Sequence, residues 1–315
     1  MCSNTTGSNN ISLGCGSLLL NTTGSQNISL GFQSLRCNTT GNNNIALGLY
    51  ALRANTGGTS NISLGCNSLR SNTSGCHNVA LGQNALCGNS TGNNNIALGL
   101  CALMFNTTGT NNISLGYNSL RFNTSGCHNI ALGCKSLDNN TSGCHNISLG
   151  FNSLTNTTDG GCNISFGYNA LRSNITGSTN IAIGHNSLCN NTIGSNNVAL
   201  GRYSLIGNTT GCNNVGLGFR SLNLNNIGSN NVSIGRCSLF SNTTGSTNTA
   251  LGYNTQSGDF SNSVILGACA TATANNQFVL GSTGLPVGPV NTESCTSTRT
   301  LNIRLNGADY KILLA

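Results

Sequence analysis

Asn21–Cys37 reads NTTGSQNISLGFQSLRC, and at Asn38 the chain starts the same phrase again as NTTGNNNIALGLYALRA. The glycine closing NISLG recurs as Gly14, Gly31, Gly48, Gly65, Gly82 and onward to Gly252, always 17 residues apart. A loop glycine keeps the same step from Gly7 to Gly245. So does the asparagine ahead of the aliphatic pair: Asn10, Asn27, Asn44, Asn61, Asn78, Asn95, Asn112, Asn129, Asn146 and onward to Asn248. Three columns unbroken over fifteen copies exclude a compositional accident. A fixed period this short signifies a stacked repeat architecture.

Within a unit, NISLG alternates as a strand does, Ile28 and Leu30 to one side, Asn27 and Ser29 to the other. A second short strand is expected at Gln33-Ser34-Leu35, whose leucine recurs from Leu18 to Leu239. NTTG is turn chemistry, with Asn and Thr bonding their own backbone and Gly taking a positive φ. Each unit thus reads as strand, glycine turn, short strand and polar loop, and two strands of about five residues leave no room for a helix. Stacked coils place equivalent residues about 4.8 Å apart. The Asn10–Asn248 column is then expected to bond amide to amide up the stack.

One strand face is aliphatic and the other uniformly small: Ser12, Ser29, Ala46, Ser63, Ala80 and once Gly216. Both faces suit burial, yet one coil encloses only one of them. The other is expected to meet a partner subunit. The reading is an all-β parallel β-roll, or β-solenoid, of about 17 coils, roughly 80 Å long, assembled with itself.

Composition narrows the function. Of 315 residues only 5% are charged, with 42 Gly, 2 Pro and no Trp. No apolar run approaches the roughly 18 residues of a membrane span, and no secretory signal pattern is seen. The net charge of +7 lies in the repeats, where Arg36, Arg53, Arg70, Arg121 and Arg172 share a column. Such a column is a solvated edge or a weak site for acidic glycans or nucleic acid. No aromatic interleaves with it in sequence, which argues against nucleic acid.

Catalysis has little support. The five acidic residues are scattered, none pairs with a histidine, and the glycines are periodic rather than phosphate-binding. No cofactor or metal is expected. The sharpest local motif is SGCHN, at Cys76-His77, Cys127-His128 and Cys144-His145. The last two are one period apart and so stacked. They read as surface variation, as disulfide or thiol chemistry between Cys127 and Cys144, or as a zinc site. The sequons follow from the motif; the ladder asparagines are inaccessible, and the loop asparagines are open to glycans only in a secreted chain.

Residues 1–252 form the 17-residue array. Residues 253–281 step down to 15 and then 14 residues, 282–300 read as a linker or collar, and 301–315 as a hairpin around Asn306-Gly307. The hairpin is expected to cap the stack and set the register of the subunits.

The stretch NSVILGACATATANNQFVLG resembles the head repeat of YadA-like trimeric autotransporter adhesins. The longer units are similar to the NTTGxNNxALGxxAL repeats of phage, giant-virus and bacterial fibre-like proteins. The resemblance implies a left-handed parallel β-roll with three chains side by side, a homotrimer. A signal peptide and membrane anchor are not recognised, which favours a viral or phage fibre over an outer-membrane adhesin. The expected function is a structural fibre or filament on a virion surface or extracellular appendage. The alternative is an adhesin reading a host glycan or protein through variable loop residues. An adhesin should gather aromatics and charge in one patch, whereas Tyr50, Tyr117, Tyr168, Tyr203 and Tyr253 are spread along the sequence.

Overall fold

The computed structural model describes residues 3–282 and 284, together with the backbone of two strands near the C-terminus. Three-residue strands, from β1 (Ile11–Leu13) and β2 (Ile28–Leu30) to β17 (Phe278–Leu280), stack into one parallel 17-stranded sheet. Register is like on like: Ile11 pairs with Ile28, Ser12 with Ser29 and Leu13 with Leu30. The chain is an all-β parallel solenoid of 17-residue coils, with no helix among the described residues.

The shorter pitch does not interrupt the sheet. Strands β15 (Thr249–Leu251) and β16 (Val264–Leu266) pair in register, and β16 pairs with β17 in the same way. Strands β18 (Thr300–Leu305) and β19 (Ala308–Leu313) form a separate antiparallel pair. The Asn306-Gly307 turn, and the linker but for its first residues and Thr300, lie outside the described residues.

The second strand expected at Gln33-Ser34-Leu35 does not form, and the first is three residues rather than five. Gln33 and Leu35 both stand in the left-handed region, at φ 53° and 46°. The chain therefore turns at each of them instead of extending. A coil of one strand has to fold back on itself within the remaining residues, and left-handed residues supply the corners. Each such residue costs about 1 kcal/mol or more. The stack offsets this by fixing their amides: Gln33 N–H donates to Cys15 O at 2.9 Å, and Leu35 N–H to Ala51 O at 3.0 Å.

The glycines divide the steric work differently from the sequence reading. Gly31, after the strand, has φ 140°, and a Cβ there would stand 2.5 Å from Gly48 O on the next coil. The NTTG glycine Gly24 does not have a positive φ. It is small because its backbone runs against Gly41 O and the Asn21 side chain. The left-handed corner of that loop is instead Gln26, at φ 61°.

The small strand face is the inner one. Ser29 or Ala46 is fully buried, beside Leu35 or Leu52 from the turn. One leucine per coil and the alanines form the apolar core along the axis. Full burial of such a leucine contributes about 1.5–3 kcal/mol per coil. The aliphatic residues Ile28 and Leu30 point outward and stay half-buried, and Leu115, Ile183, Leu200 and Ile234 count as exposed.

Candidate functional site

Two asparagine ladders run through the core. In the first, Asn27 Nδ2 donates to Asn10 Oδ1 on the preceding coil at 3.1 Å and to Gly41 O at 2.9 Å, while Asn27 N–H donates to the same Oδ1 at 3.0 Å. Asn44, Asn61, Asn78, Asn95, Asn112 and Asn129 repeat the pattern. At Asn146 the backbone amide alone reaches Asn129 Oδ1, at 2.9 Å, and Nδ2 goes to Gly160 O.

The second ladder was not foreseen. It consists of the loop asparagines, read from sequence as glycan acceptors. Asn38 Nδ2 donates to Asn21 Oδ1 at 2.7 Å and to Gly41 O at 2.9 Å, and both asparagines are fully buried. From Asn21 to Asn242 these amides face the interior, so a glycan has no path to them. The signal was present: the column starting at Asn4 is Asn in every coil but one, where Thr157 stands. Beside that break Asn140 Oδ1 is buried without a hydrogen-bond donor.

The stacked SGCHN motifs place Cys127 Sγ 2.9 Å from Cys144 Sγ, with both thiols free. Donating its proton to the Cys144 sulfur, with burial, pushes the Cys127 thiol up to about 11. His128 and His145 stack outside them with centroids 5.0 Å apart and planes 6° from parallel. Parallel columns hold these groups side by side rather than converging. Among the described residues no three His, Cys, Asp or Glu side chains meet to hold a metal ion. No helix is long and apolar enough to cross a membrane, again among the described residues.

The arginine column does carry aromatics, drawn from the columns beside it and, at Phe122, from the next residue in the chain. Arg53 and Arg70 both lie over Tyr50, at 5.5 and 5.6 Å from the ring centroid. Arg121 lies over Phe122 at 4.2 Å and pairs with Asp138 on the next coil. There Nη2 donates to Oδ2 at 3.2 Å, while Nε sits 3.0 Å from Oδ1 without hydrogen-bond alignment. Burial pushes the Asp138 carboxyl up against the pull of Arg121. Asp159 is exposed and held below the usual carboxylate range by the hydroxyls of Ser142 and Thr141.

The tyrosines stay spread along the rod, but phenylalanine and histidine rings fill the gaps between some of them. The two columns just past the strand glycine become a continuous ridge in the C-terminal half. Phe151 stacks on Tyr168 at 5.4 Å and Tyr168 on His185 at 5.1 Å. His185 meets Tyr203 edge to face at 5.5 Å, and Tyr203 meets Phe219 at 6.3 Å. Arg202, Arg220 and Arg236 lie among these rings, and Arg236 reaches on to Tyr253 at 5.7 Å. By the texture criterion this surface has a patch. Sequence spacing hid it, because neighbours on the ridge are a full coil apart in the chain.

No family model and no curated protein matches this sequence.

Proposed function

We propose that the chain is a non-enzymatic structural rod, the shaft or head of a fibre, and that it works as a homotrimer. One observation carries the reading. A rod whose interior is hydrogen-bonded coil to coil keeps an outward apolar face on successive strands from Ile11 to Ile234, of Ile, Val and Leu with Phe166 among them, half-buried at best. Over about 80 Å of axial length and about 10 Å of width, that face is of the order of 800 Å² per chain, the size of a standard protein interface. A surface this long and apolar signifies a partner, and a repeating face is complementary to another copy of itself.

The mechanical properties follow from the same parts. Backbone hydrogen bonds and two side-chain ladders run parallel to the axis, so axial load is shared by many equivalent bonds in each coil. The resemblance to fibre-like and adhesin-head repeats supports a location on a virion surface or an extracellular appendage, with end-to-end filament growth as an extension of the same stacking.

The native mass by light scattering, with and without reductant, tests this. A species near 97 kDa, about three times the 32.2 kDa of one chain, unchanged by reductant, is the expected result. A monomer at micromolar concentration overturns the trimer. Larger species that collapse on reduction assign assembly to the thiols instead of the aliphatic face.

A further inference from the structure

The ridge between Phe151 and Tyr253 concentrates cations that nothing in the rod neutralises. Arg202, Arg220 and Arg236 are exposed on three successive coils. Arg202 lies 4.7 Å from the Tyr203 centroid and donates from Nη2 to the Tyr203 hydroxyl at 3.1 Å. Arg220 sits 5.3 Å from Phe219 and Arg236 5.7 Å from Tyr253. The two columns that carry this ridge hold no Asp or Glu in any of the fifteen 17-residue coils. Among the described residues the one ion pair is Arg121–Asp138, well away along the rod. Asp159 and Asp259 are engaged by loop hydroxyls and amides.

Packing against rings holds the three guanidiniums in place with little rotamer entropy left to lose. Apart from the Arg202 Nη2 bond to the Tyr203 hydroxyl, their N–H groups remain free to fork onto anionic oxygens. The coil spacing sets them in a row at about 4.8 Å intervals along a straight axis. A row of fixed cations is complementary to a linear polymer bearing an anion on each unit.

The rings decide between polymers. Phe151, Tyr168 and His185 are stacked face to face, within 11° and 12° of parallel. Tyr203, Phe219 and Tyr253 have guanidiniums on their faces. Sequence-tolerant binding of single strands needs free ring faces for the bases, and here those faces are taken. What the ridge presents outward is guanidinium N–H and ring edges.

We propose that this ridge binds a linear sulfated glycan, with Arg202, Arg220 and Arg236 receiving its sulfate and carboxylate groups. The site is complete within one chain, so it stands or falls separately from the trimer. The test is titration of the full chain with a heparin-derived decasaccharide across a salt series. Two charge-matched variants are compared: R202Q/R220Q/R236Q on the ridge, and R36Q/R53Q/R70Q on the N-terminal column. Both change exposed or half-buried side chains, and unchanged circular dichroism spectra and melting confirm their fold.

The ridge variant is expected to lose about tenfold or more in affinity and to flatten the salt dependence. The control is expected to change less than about threefold. Absence of heparin binding overturns the proposal. Equal or greater loss in the control variant does so too, since it reduces binding to the net charge. So does tighter, ridge-dependent binding of an oligothymidylate, which makes the ridge a nucleic-acid surface.

Discussion

Four of the positions that asparagine takes in the coil divide into two kinds of physics. Two are the ladder positions, Asn21 and Asn27 in the second coil, where the amide donates and accepts along the axis. The other two are left-handed corners, occupied for example by Asn43 at φ 59° and Asn67 at φ 56°. Among residues with a Cβ, Asn takes that region at low cost. The ladder is most informative where it fails. At Thr157 the hydroxyl replaces an amide, Asn174 Nδ2 reaches it only at 3.4 Å, and Asn140 Oδ1 is orphaned. Replacing Thr157 with Asn supplies the missing donor, and the variant should gain about 1–2 kcal/mol. Hydrogen exchange of amides between Asn140 and Asn174 should slow with it. Unchanged exchange there means that water already serves Asn140.

The thiols of Cys127 and Cys144 make a second residue-level claim. With glutathione disulfide, one thiolate attacks and releases a glutathione thiolate. The neighbouring thiol, once deprotonated, displaces the second glutathione. Two thiols and one glutathione disulfide thus become one internal disulfide and two glutathione thiols. Because Cys127 is pushed up to about 11, closure should be slow at neutral pH and accelerate as pH rises. Peptide mapping should find the Cys127–Cys144 link within single chains. Closing a 17-residue loop is worth about 3 kcal/mol on the chain-entropy account, so the oxidised chain should melt higher. Retention of mixed glutathione adducts at pH 9 would show that the two sulfurs cannot meet.

The coil was half legible from its sequence, and the division has a physical cause. Period, strand position, the inner-versus-outer alternation and the first asparagine ladder all follow from column identity and the pleat. The turn following Gly31 did not, because leucine is a poor marker for a left-handed residue. Leu35 holds φ 46° only because coils on both sides fix it. The pairing of Ser29 with Ser34 and of Ala46 with Ala51 also went unread. It follows from burial: the Ser29 hydroxyl donates to Ser34 O, 2.9 Å away, the coils with Ala46 and Ala51, Ala80 and Ala85, and Ala97 and Ala102 lack both hydroxyls, and Ser136 beside Ala131 turns to Ser148 O on the next coil at 2.9 Å. The glycine after each strand is the least replaceable part. At Gly31 a methyl group meets both a forbidden φ and Gly48 O, so Gly31→Ala should cost about 3 kcal/mol or more. Guanidinium unfolding monitored by circular dichroism checks this, and a loss below about 1 kcal/mol would show that the coil can shift to make room.

In the whole rod, inside and outside exchange their usual roles. The interior is rich in asparagine and serine and keeps one large aliphatic side chain per coil, the turn leucine, while the strand's large aliphatic side chains face out. That inversion is stable because an amide ladder satisfies every buried polar group it contains, coil after coil, wherever the column is unbroken. It also separates folding from assembly: inner columns hold the coil, and outer columns are free for a partner. Leu81→Lys, Leu115→Lys and Leu149→Lys put three charges on the outward face, two coils apart, so that stacked lysines do not repel at the 4.8 Å spacing. Since these side chains leave the core untouched, the triple variant should keep its β circular dichroism signal. Its native mass should fall to one chain from the three proposed for the unaltered protein, as expected for charge buried in an apolar interface. Retention of the trimer mass would mean that the subunits meet through another surface, and loss of the β signal together with the mass would mean that the coils cannot stand alone.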